Sequence, residues 1–177
     1  MRFLLPLLAA MLCTACSGYH VGPVKPTKLK DVHRICVKNF KNITLEPRME
    51  ALLANAVIKA LQMDGTYEIT GEGAADAILE GTLKQIQRTP SRALLGNVLQ
   101  STEYVLTLLA DYRLTEAHGG KVLDARPVFG TTSFFVTAGS AGQDILTADT
   151  AQDERQAIPL AAEDLATRIA SLVSEGW

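Results

Sequence analysis

The sequence contains few of the residues that enzymes and metal sites use. Among its 177 residues there are only three histidines and three cysteines. His20, His33 and His118 are far apart, and no two have the spacing of metal ligands. The Gly-x-Ser-x-Gly, phosphate-loop and dinucleotide-binding motifs are also absent from the sequence. We therefore predict no catalytic residue, no metal site and no cofactor, and we do not expect an enzyme.

An excess of charge of one sign is also lacking. Lys and Arg number 17 against 19 Asp and Glu, which gives a formal net charge of −2 at pH 7. A nearly balanced chain has no overall attraction for nucleic acid, so we expect no nucleic-acid partner. An anionic partner would have to meet a local group of basic residues.

The apolar run at the N-terminus is too short for a transmembrane helix. It extends from Phe3 to Leu12, about half of the roughly 20 residues that cross a bilayer. Arg2 precedes it, and the small residues Cys13-Thr14-Ala15 lead to Cys16. This order is typical of an export signal that is removed before a cysteine. We predict residues 1–15 as a lipoprotein signal peptide and Cys16 as an acylated N-terminus.

Acylation and simple secretion have different consequences for the mature chain. Several acyl chains would hold it on a membrane, because each buried methylene contributes about 0.8 kcal/mol. The alternative is an ordinary secretory signal cut near Ala15, which leaves a soluble binding protein with a free thiol. The other cysteine of the mature chain, Cys36, lies in an apolar strand pattern, so we expect no intrachain disulfide.

Composition divides the mature chain into two parts. Residues 16–30 are rich in Gly, Pro and Lys, which predicts a tether between lipid and domain. Residues 31–177 are enough for one domain with a normal core.

Periodic apolar residues predict the first elements of that domain. We expect a strand in Val32 to Phe40, ended by Lys41-Asn42. A helix should begin at Pro47 and stop at Asp64-Gly65. Tyr67 to Ile69 should start a return strand.

Three longer alternating segments follow. They are Asp76 to Arg88, Thr102 to Thr115 and Val122 to Val136, which we interpret as an antiparallel meander. Pro127 and Gly130 favour a bulge or an edge position for the last strand.

The last part of the chain combines a loop and a helix. Ala138 to Gln143 is small and polar, which predicts a mobile loop. Thr150-x-x-Asp153 resembles a capping box ahead of a final helix, in which Pro159 either makes a kink or lies in the first turn. The predicted fold is a two-layer α+β sandwich, with two amphipathic helices on one face of a mostly antiparallel four- to five-stranded sheet.

One connection combines basic and aliphatic residues. The segment from Arg88 to Leu99 joins two long strands, and Lys84, Arg88 and Arg92 should lie toward the same hairpin end. Arg makes forked contacts to phosphate, and Leu94 and Leu95 could meet acyl chains. The alternative is that these leucines enter the core or form a short helix under the sheet.

Several short motifs resemble one family. Cys16-Ser17-Gly18-Tyr19-His20-Val21 is similar to the Cys-Gly-Tyr-His opening of LptE-type lipopolysaccharide-assembly lipoproteins. Val37-x-x-Phe40-x-Asn42, a helix, and Ala75-Asp76-x-x-Leu79-x-Gly81 continue the resemblance. The closing amphipathic helix from Glu154 completes it, so that the resemblance covers almost the whole chain.

The resemblance implies a non-enzymatic outer-membrane component. Such lipoproteins sit in the lumen of the LptD β-barrel, help it fold and assist delivery of lipopolysaccharide to the cell surface. By this resemblance, the chain would lie at the periplasmic face of the outer membrane, anchored in membrane lipid through acylated Cys16. The candidate lipopolysaccharide-contacting residues are inferred from charge and position: Lys84, Arg88, Arg92, Leu94 and Leu95.

A second functional class fits the same features. Small α+β sandwiches on lipid tethers also activate periplasmic cell-wall synthases or serve as accessory subunits of secretion complexes. The fold cannot separate these functions. The partner that the chain binds in the envelope distinguishes them.

Overall fold

Three strands of sixteen residues each form the centre of the fold in a computed structural model, which describes residues 25–92, 101–137 and 149–176. Two helices and three shorter strands complete it. In chain order the elements are β1 (Arg34–Val37), β2 (Lys41–Asn42), α1 (Met49–Asp64), β3 (Glu68–Ile69), β4 (Ala77–Arg92), β5 (Ser101–Glu116), β6 (Val122–Thr137) and α2 (Asp149–Glu175).

The predicted meander is confirmed. β4, β5 and β6 pair in succession as antiparallel neighbours, and alternate residues of each strand turn toward the helices. Lys84 is an extra residue in β4, where the pairing shifts between Leu83 and Gln85. The core side of the meander includes Leu79, Leu83, Leu106, Leu108, Ala110, Tyr112, Leu114 and Val128.

The two-layer α+β sandwich is also confirmed, with more strands than expected. The sheet has six strands in the order β3-β1-β4-β5-β6, and β2 also pairs with β4. β1 is parallel to both β3 and β4, and β2 is parallel to β4. A helical connection returns the chain in the same direction, which makes β1 and β3 parallel. The sheet is therefore mixed.

The first predicted strand is divided, because β1 ends at Val37 and residues 38–40 lie outside any strand. Lys41-Asn42, which we expected to end that strand, instead form β2. Phe40 is buried, and its ring occupies the position that a Cβ on Gly81 would take. The chain leaves the strand to place this ring in the core, and it can do so because β4 has a glycine there.

The helices begin at different residues from those predicted. α1 starts at Met49, after Arg48 with a φ of 65°, and it stops at Gly65 as expected. α2 starts at Asp149, so Thr150 lies inside the helix and is not its N-cap. Pro159 lies in the helix interior with an exposed side chain. The buried stripe of α2 includes Ala157, Ile158, Ala161, Ala162, Leu165, Ala166, Ile169, Ala170 and Val173.

β6 is the outer strand of the meander, as Pro127 and Gly130 predicted. A Cβ on Gly130 would overlap the backbone of Ala161 and Leu165. The glycine therefore allows α2 to lie directly against β6. On the exposed edge, the Asp164 carboxylate accepts the N–H of Thr131 at 2.8 Å.

The folded part includes the end of the predicted tether. Leu29 is 2 % exposed and belongs to the core. The Lys25 ammonium donates to the Val32 carbonyl at 2.9 Å and lies 4.9 Å from the centre of the Tyr67 ring. Among the helices of the described residues, we find none that is long and apolar enough to cross a membrane.

Candidate functional site

The three basic residues of the predicted lipid-contacting group lie along β4. Arg88 is a strand residue, because β4 continues to Arg92 and the connection starts after it. Lys84 lies at the bulge and Arg92 at the strand end, eight positions apart, which is roughly 25 Å along a strand. The group therefore extends over half of the strand.

Arg88 faces the helix layer, where two carboxylates meet it. Its Nε donates to Glu154 Oε1 at 2.6 Å, and its terminal nitrogen lies 3.9 Å from Glu46. The hydrogen bond that Arg88 donates to Glu154 raises the pKa of the Arg88 guanidinium above its usual value. The contact joins β4 to the start of α2 and to the loop before α1. Arg88 is therefore held by the fold, with its charge already balanced.

Lys84 faces the opposite side of the sheet. It forms an ion pair with Asp111 of β5, whose side chain lies on the face away from the helices. Both side chains are about half exposed, so solvent weakens the pair. Lys84 and Arg88 thus share a strand but not a surface.

The other predicted site residues fall outside the described side chains. The backbone of Arg92 pairs with Glu103. Leu94 and Leu95 lie outside the described residues, as do Cys16 and the loop predicted at Ala138 to Gln143.

The open face of the sheet carries a polar hollow that the sequence did not indicate. Its volume is about 620 Å³, and it lies over the part of the sheet where β2, β4, β5 and β6 are side by side. Lys38 contacts Glu72 at 2.9 Å and Glu80 at 3.6 Å at its rim. The small side chains of Ala125 and Pro127 leave space at its far side. Other charged residues that line it are Lys41, Asp111, Arg113 and Arg126.

The lining of this hollow suits polar contacts. It carries charges of both signs, as expected for a surface that meets polar groups of a partner. Among the described residues there is no cluster of His, Cys, Asp or Glu that could hold a metal ion. Strand pairing brings Lys38 and Lys41 of the first part of the chain beside Arg113 of β5.

Asp76, which the resemblance singled out, joins two strands. Its carboxylate accepts the N–H groups of His33 and Arg34 at 3.0 and 2.9 Å, and the Arg34 guanidinium at 2.9 Å. These bonds, with the guanidinium foremost, hold the pKa of Asp76 well below its usual value. The residue fixes the start of β1 beside β4.

Asn42 stiffens the loop before α1. Its side-chain oxygen accepts the Thr44 N–H at 3.0 Å and the Thr44 hydroxyl at 2.7 Å, while its amide donates to the Glu46 carbonyl at 2.7 Å. The loop holds two aliphatic side chains in solvent, Ile43 at 68 % and Leu45 at 103 % exposure. The motif residues Phe40, Asn42, Asp76 and Gly81 thus all have structural roles.

A buried tyrosine ties β5, β6 and the end of α2 together. The Tyr112 hydroxyl donates to Asp124 at 2.5 Å, and Asp124 accepts from Arg126 at 3.0 Å. Arg126 also donates to the Gly176 carbonyl at 3.3 Å. Burial, together with the Asp124 carboxylate, raises the pKa of Tyr112. The hydroxyl remains protonated at neutral pH, and its contacts support packing.

Comparison with known proteins gives the chain a family and a fold. The family model described as LptE, lipopolysaccharide-assembly, matches residues 32–172. A minor lipoprotein from Acinetobacter baumannii is similar in structure, with 16 % identity over 82 % of this chain and 92 % of that chain and a TM-score of 0.50.

A homolog of a neuraminyllactose-binding hemagglutinin from Helicobacter pylori is also similar. Its identity is 8 % over 88 % of this chain and 91 % of that chain, with a TM-score of 0.52. At such identities the two structures support the fold alone.

Proposed function

The chain belongs to the LptE lipopolysaccharide-assembly family, and on that premise we propose that it is an outer-membrane lipoprotein that partners the LptD β-barrel in delivering lipopolysaccharide to the cell surface. The observation that carries the proposal is the match over residues 32–172, which spans all six strands, all of α1 and most of α2. We further propose that the chain acts without catalysis, as a scaffold for the barrel.

The proposed anchor is an acylated Cys16 in the periplasmic leaflet of the outer membrane. Lys25, where the described fold begins, is nine positions after Cys16. An extended chain of that length reaches about 30 Å. The domain would therefore remain within that distance of the lipid surface.

The fold also indicates which end would face the membrane. Lys25 lies against Tyr67, and a Cβ on Gly176 would contact Pro26. Lys28 shares a surface hollow with His118 of the turn between β5 and β6. We call this region the tether end. The opposite ends of the three long strands, which we call the distal meander (residues 85–92, 101–109 and 130–137), would project away from the membrane.

We also propose that the distal part of β4 contacts lipopolysaccharide. Lys84, Arg88 and Arg92 supply positive charge for phosphate, and Leu94 and Leu95 supply apolar contacts. Arg88 already bonds Glu154, so a phosphate would compete with a carboxylate there. We therefore expect Arg92 and Lys84 to contribute more to binding than Arg88.

Partner capture tests the barrel proposal. Crosslinking in intact cells, followed by pull-down from solubilised outer membrane, should recover a large β-barrel with the acylated chain. The Cys16→Ser chain serves as the control that lacks the anchor, and its intact mass should show no acyl chains. Recovery of cell-wall synthases without any large β-barrel would support the alternative class of periplasmic activator.

Charge variants test the lipopolysaccharide contact separately. Arg92→Glu combined with Lys84→Gln should weaken lipopolysaccharide binding, and the loss should shrink as salt is raised. Lys121→Glu combined with Lys28→Gln at the tether end is a matched control, because it makes the same charge change far from the distal meander. Equal loss in both variants would show a general charge effect and contradict the contact.

A further inference from the structure

The exposed edge of β6 is protected in its first half. Pro127 has no N–H to offer to another strand, and the Thr131 N–H already donates to Asp164. Between them, the Arg168 guanidinium lies 4.5 Å from the centre of the Phe129 ring. Proline and covered N–H groups are devices that prevent strand addition at an edge.

The second half of the same edge has no such protection among the described residues. Alternate residues of β6 point their N–H and C=O groups away from β5, so Ser133 and Phe135 point outward like Thr131. Outside the strand ladder, no described group bonds to the main chain of Ser133 or Phe135. The Phe135 side chain is 59 % exposed.

The later part of β4 forms the other open edge of the distal meander, and this edge is protected. β2 ends opposite Leu83, so the later part of β4 pairs with β5 alone among the described strands. By the pairing pattern Pro90 points outward there and offers no N–H. Arg88, another outward residue, carries charge and bonds Glu154. Among the described residues, the β6 edge from Ser133 onward has neither of these features.

The unprotected segment also has a sequence suited to pairing. Residues 132–137 read Thr-Ser-Phe-Phe-Val-Thr, with no charge, no proline and no glycine. Such segments, rich in aromatic and β-branched residues, pair readily with like strands. The paired segments themselves would bring no like charges together.

We propose that β6 pairs with β6 of a second copy of this chain, in an antiparallel arrangement centred on Phe134. In that register Ser133 of each copy faces Phe135 of the other, and both residues point their main-chain groups across the interface. Two such pairs provide about four main-chain hydrogen bonds. The two sheets then continue into one, with both Phe135 rings on the open face.

The interface is short, so the dimer is weak in solution. A contact of a few residues buries much less than the roughly 1,600 Å² of a standard protein interface. Confinement of copies to a membrane surface raises their effective concentration and favours the pair. This inference does not depend on the barrel partnership, and the unprotected edge alone carries it.

Sedimentation velocity on the mature Cys16→Ser chain tests the proposal. Between about 5 and 200 µM, the sedimentation coefficient should rise from that of a monomer toward that of a dimer. Phe135→Lys and Ser133→Pro should each leave a monomer throughout this range. Ala125→Lys, on the same face of the protected half, should behave like the parent chain. A monomer at all concentrations, or unchanged association of both edge variants, would overturn the proposal.

Hydrogen exchange gives a second measurement that needs no variant. In the parent chain, exchange at the N–H groups of Ser133 and Phe135 should slow as concentration rises, while exchange at Gly71 should not change. Exchange at Ser133 and Phe135 that is independent of concentration would count against strand pairing even if the chain associates. Circular dichroism spectra would show that each variant keeps the fold.

Discussion

Gly130 lies where α2 packs directly against the sheet. An added Cβ would meet the main chain of Ala161 and Leu165, which can move only if α2 moves. Gly81 is different, because its neighbour is the ring of Phe40. Both glycines leave space on the sheet for the group packed above them, and neither has a positive φ.

We predict that Gly130→Ala lowers the free energy of unfolding by about 1 to 3 kcal/mol, since overpacking against a helix backbone costs about that much. Urea denaturation would measure the change. Gly71→Ala is the control, because its Cβ would meet nothing within 4 Å. A change in Gly130→Ala no larger than in the control would show that α2 can withdraw without loss.

Asp76 should make the stability of the fold depend on acid pH. The carboxylate is the form that accepts the three hydrogen bonds, so folding holds the pKa of Asp76 below the unfolded value of about 3.9. This contribution is complete above that value and is lost as pH falls below it. Because the side chain is partly exposed, solvent reduces the effect.

The expected outcome is that Asp76→Asn is less stable than the parent chain at pH 6 and that the difference narrows toward pH 2.5. Asparagine can still accept the two backbone N–H groups but has no charge for Arg34. Urea unfolding at a series of pH values provides the comparison. A difference that stays constant with pH would exclude Asp76 as a source of the acid dependence.

At the scale of elements, periodicity predicted the long strands and the second helix well. Each long strand extends at most four residues beyond its predicted limits at either end, because sixteen alternating residues leave one consistent assignment. The two-residue strands β2 and β3 carry too short a pattern to identify. Their pairing depends on β4 and β1, which are distant in sequence.

The local preference of Pro159 opposes the helix in which it lies. It lies in the interior of α2 and supplies no N–H for the carbonyl of Arg155. The helix persists because its apolar stripe is buried along β6. Tertiary packing therefore outweighs the cost of the proline.

Replacing it should stabilise the protein. Pro159→Ala restores a helical hydrogen bond at an exposed position, and we expect the free energy of unfolding to rise by about 1 to 3 kcal/mol. Thermal unfolding followed by circular dichroism would measure this. Gln156→Ala, also exposed on α2, should change the free energy of unfolding by only about a few tenths of a kcal/mol. Loss of stability in Pro159→Ala would mean that the packing of α2 requires the proline.

At the scale of the whole molecule, the fold separates two ends. The tether end holds Lys25 and the turn that contains His118, and the distal meander lies at the other end of the long strands. Gln87 pairs with Thr107, nine positions before Glu116, which places it about 30 Å from that turn. Acylation of Cys16 would therefore orient the domain as well as hold it.

This orientation is measurable in vesicles that carry the acylated chain. A fluorophore on His118→Cys should be quenched by quenchers placed at the lipid headgroups, and one on Gln87→Cys should be quenched much less. Both positions are exposed, so labelling should not disturb packing. Equal quenching at the two positions would contradict a fixed tether end.

The candidate site illustrates what sequence could not supply. Residue types predicted the basic group on β4. The side of the sheet on which each basic residue lies depends on the bulge at Lys84, and the partner of Arg88 depends on where α2 starts. Arg88 therefore meets Glu154, 66 residues later in the chain. The polar hollow likewise depends on the parallel pairing of β2 with β4, which no local pattern reveals.

The sequence alone determined the two-layer class, the meander and the resemblance to a family, because these depend on local periodicity and on residue order. The tertiary structure decided the parallel strands, the partners of Arg88 and Asp76, and which part of the β6 edge has no partner among the described residues. Those features arise from contacts between residues far apart in the chain, and their geometry exists only once the helices pack on the sheet.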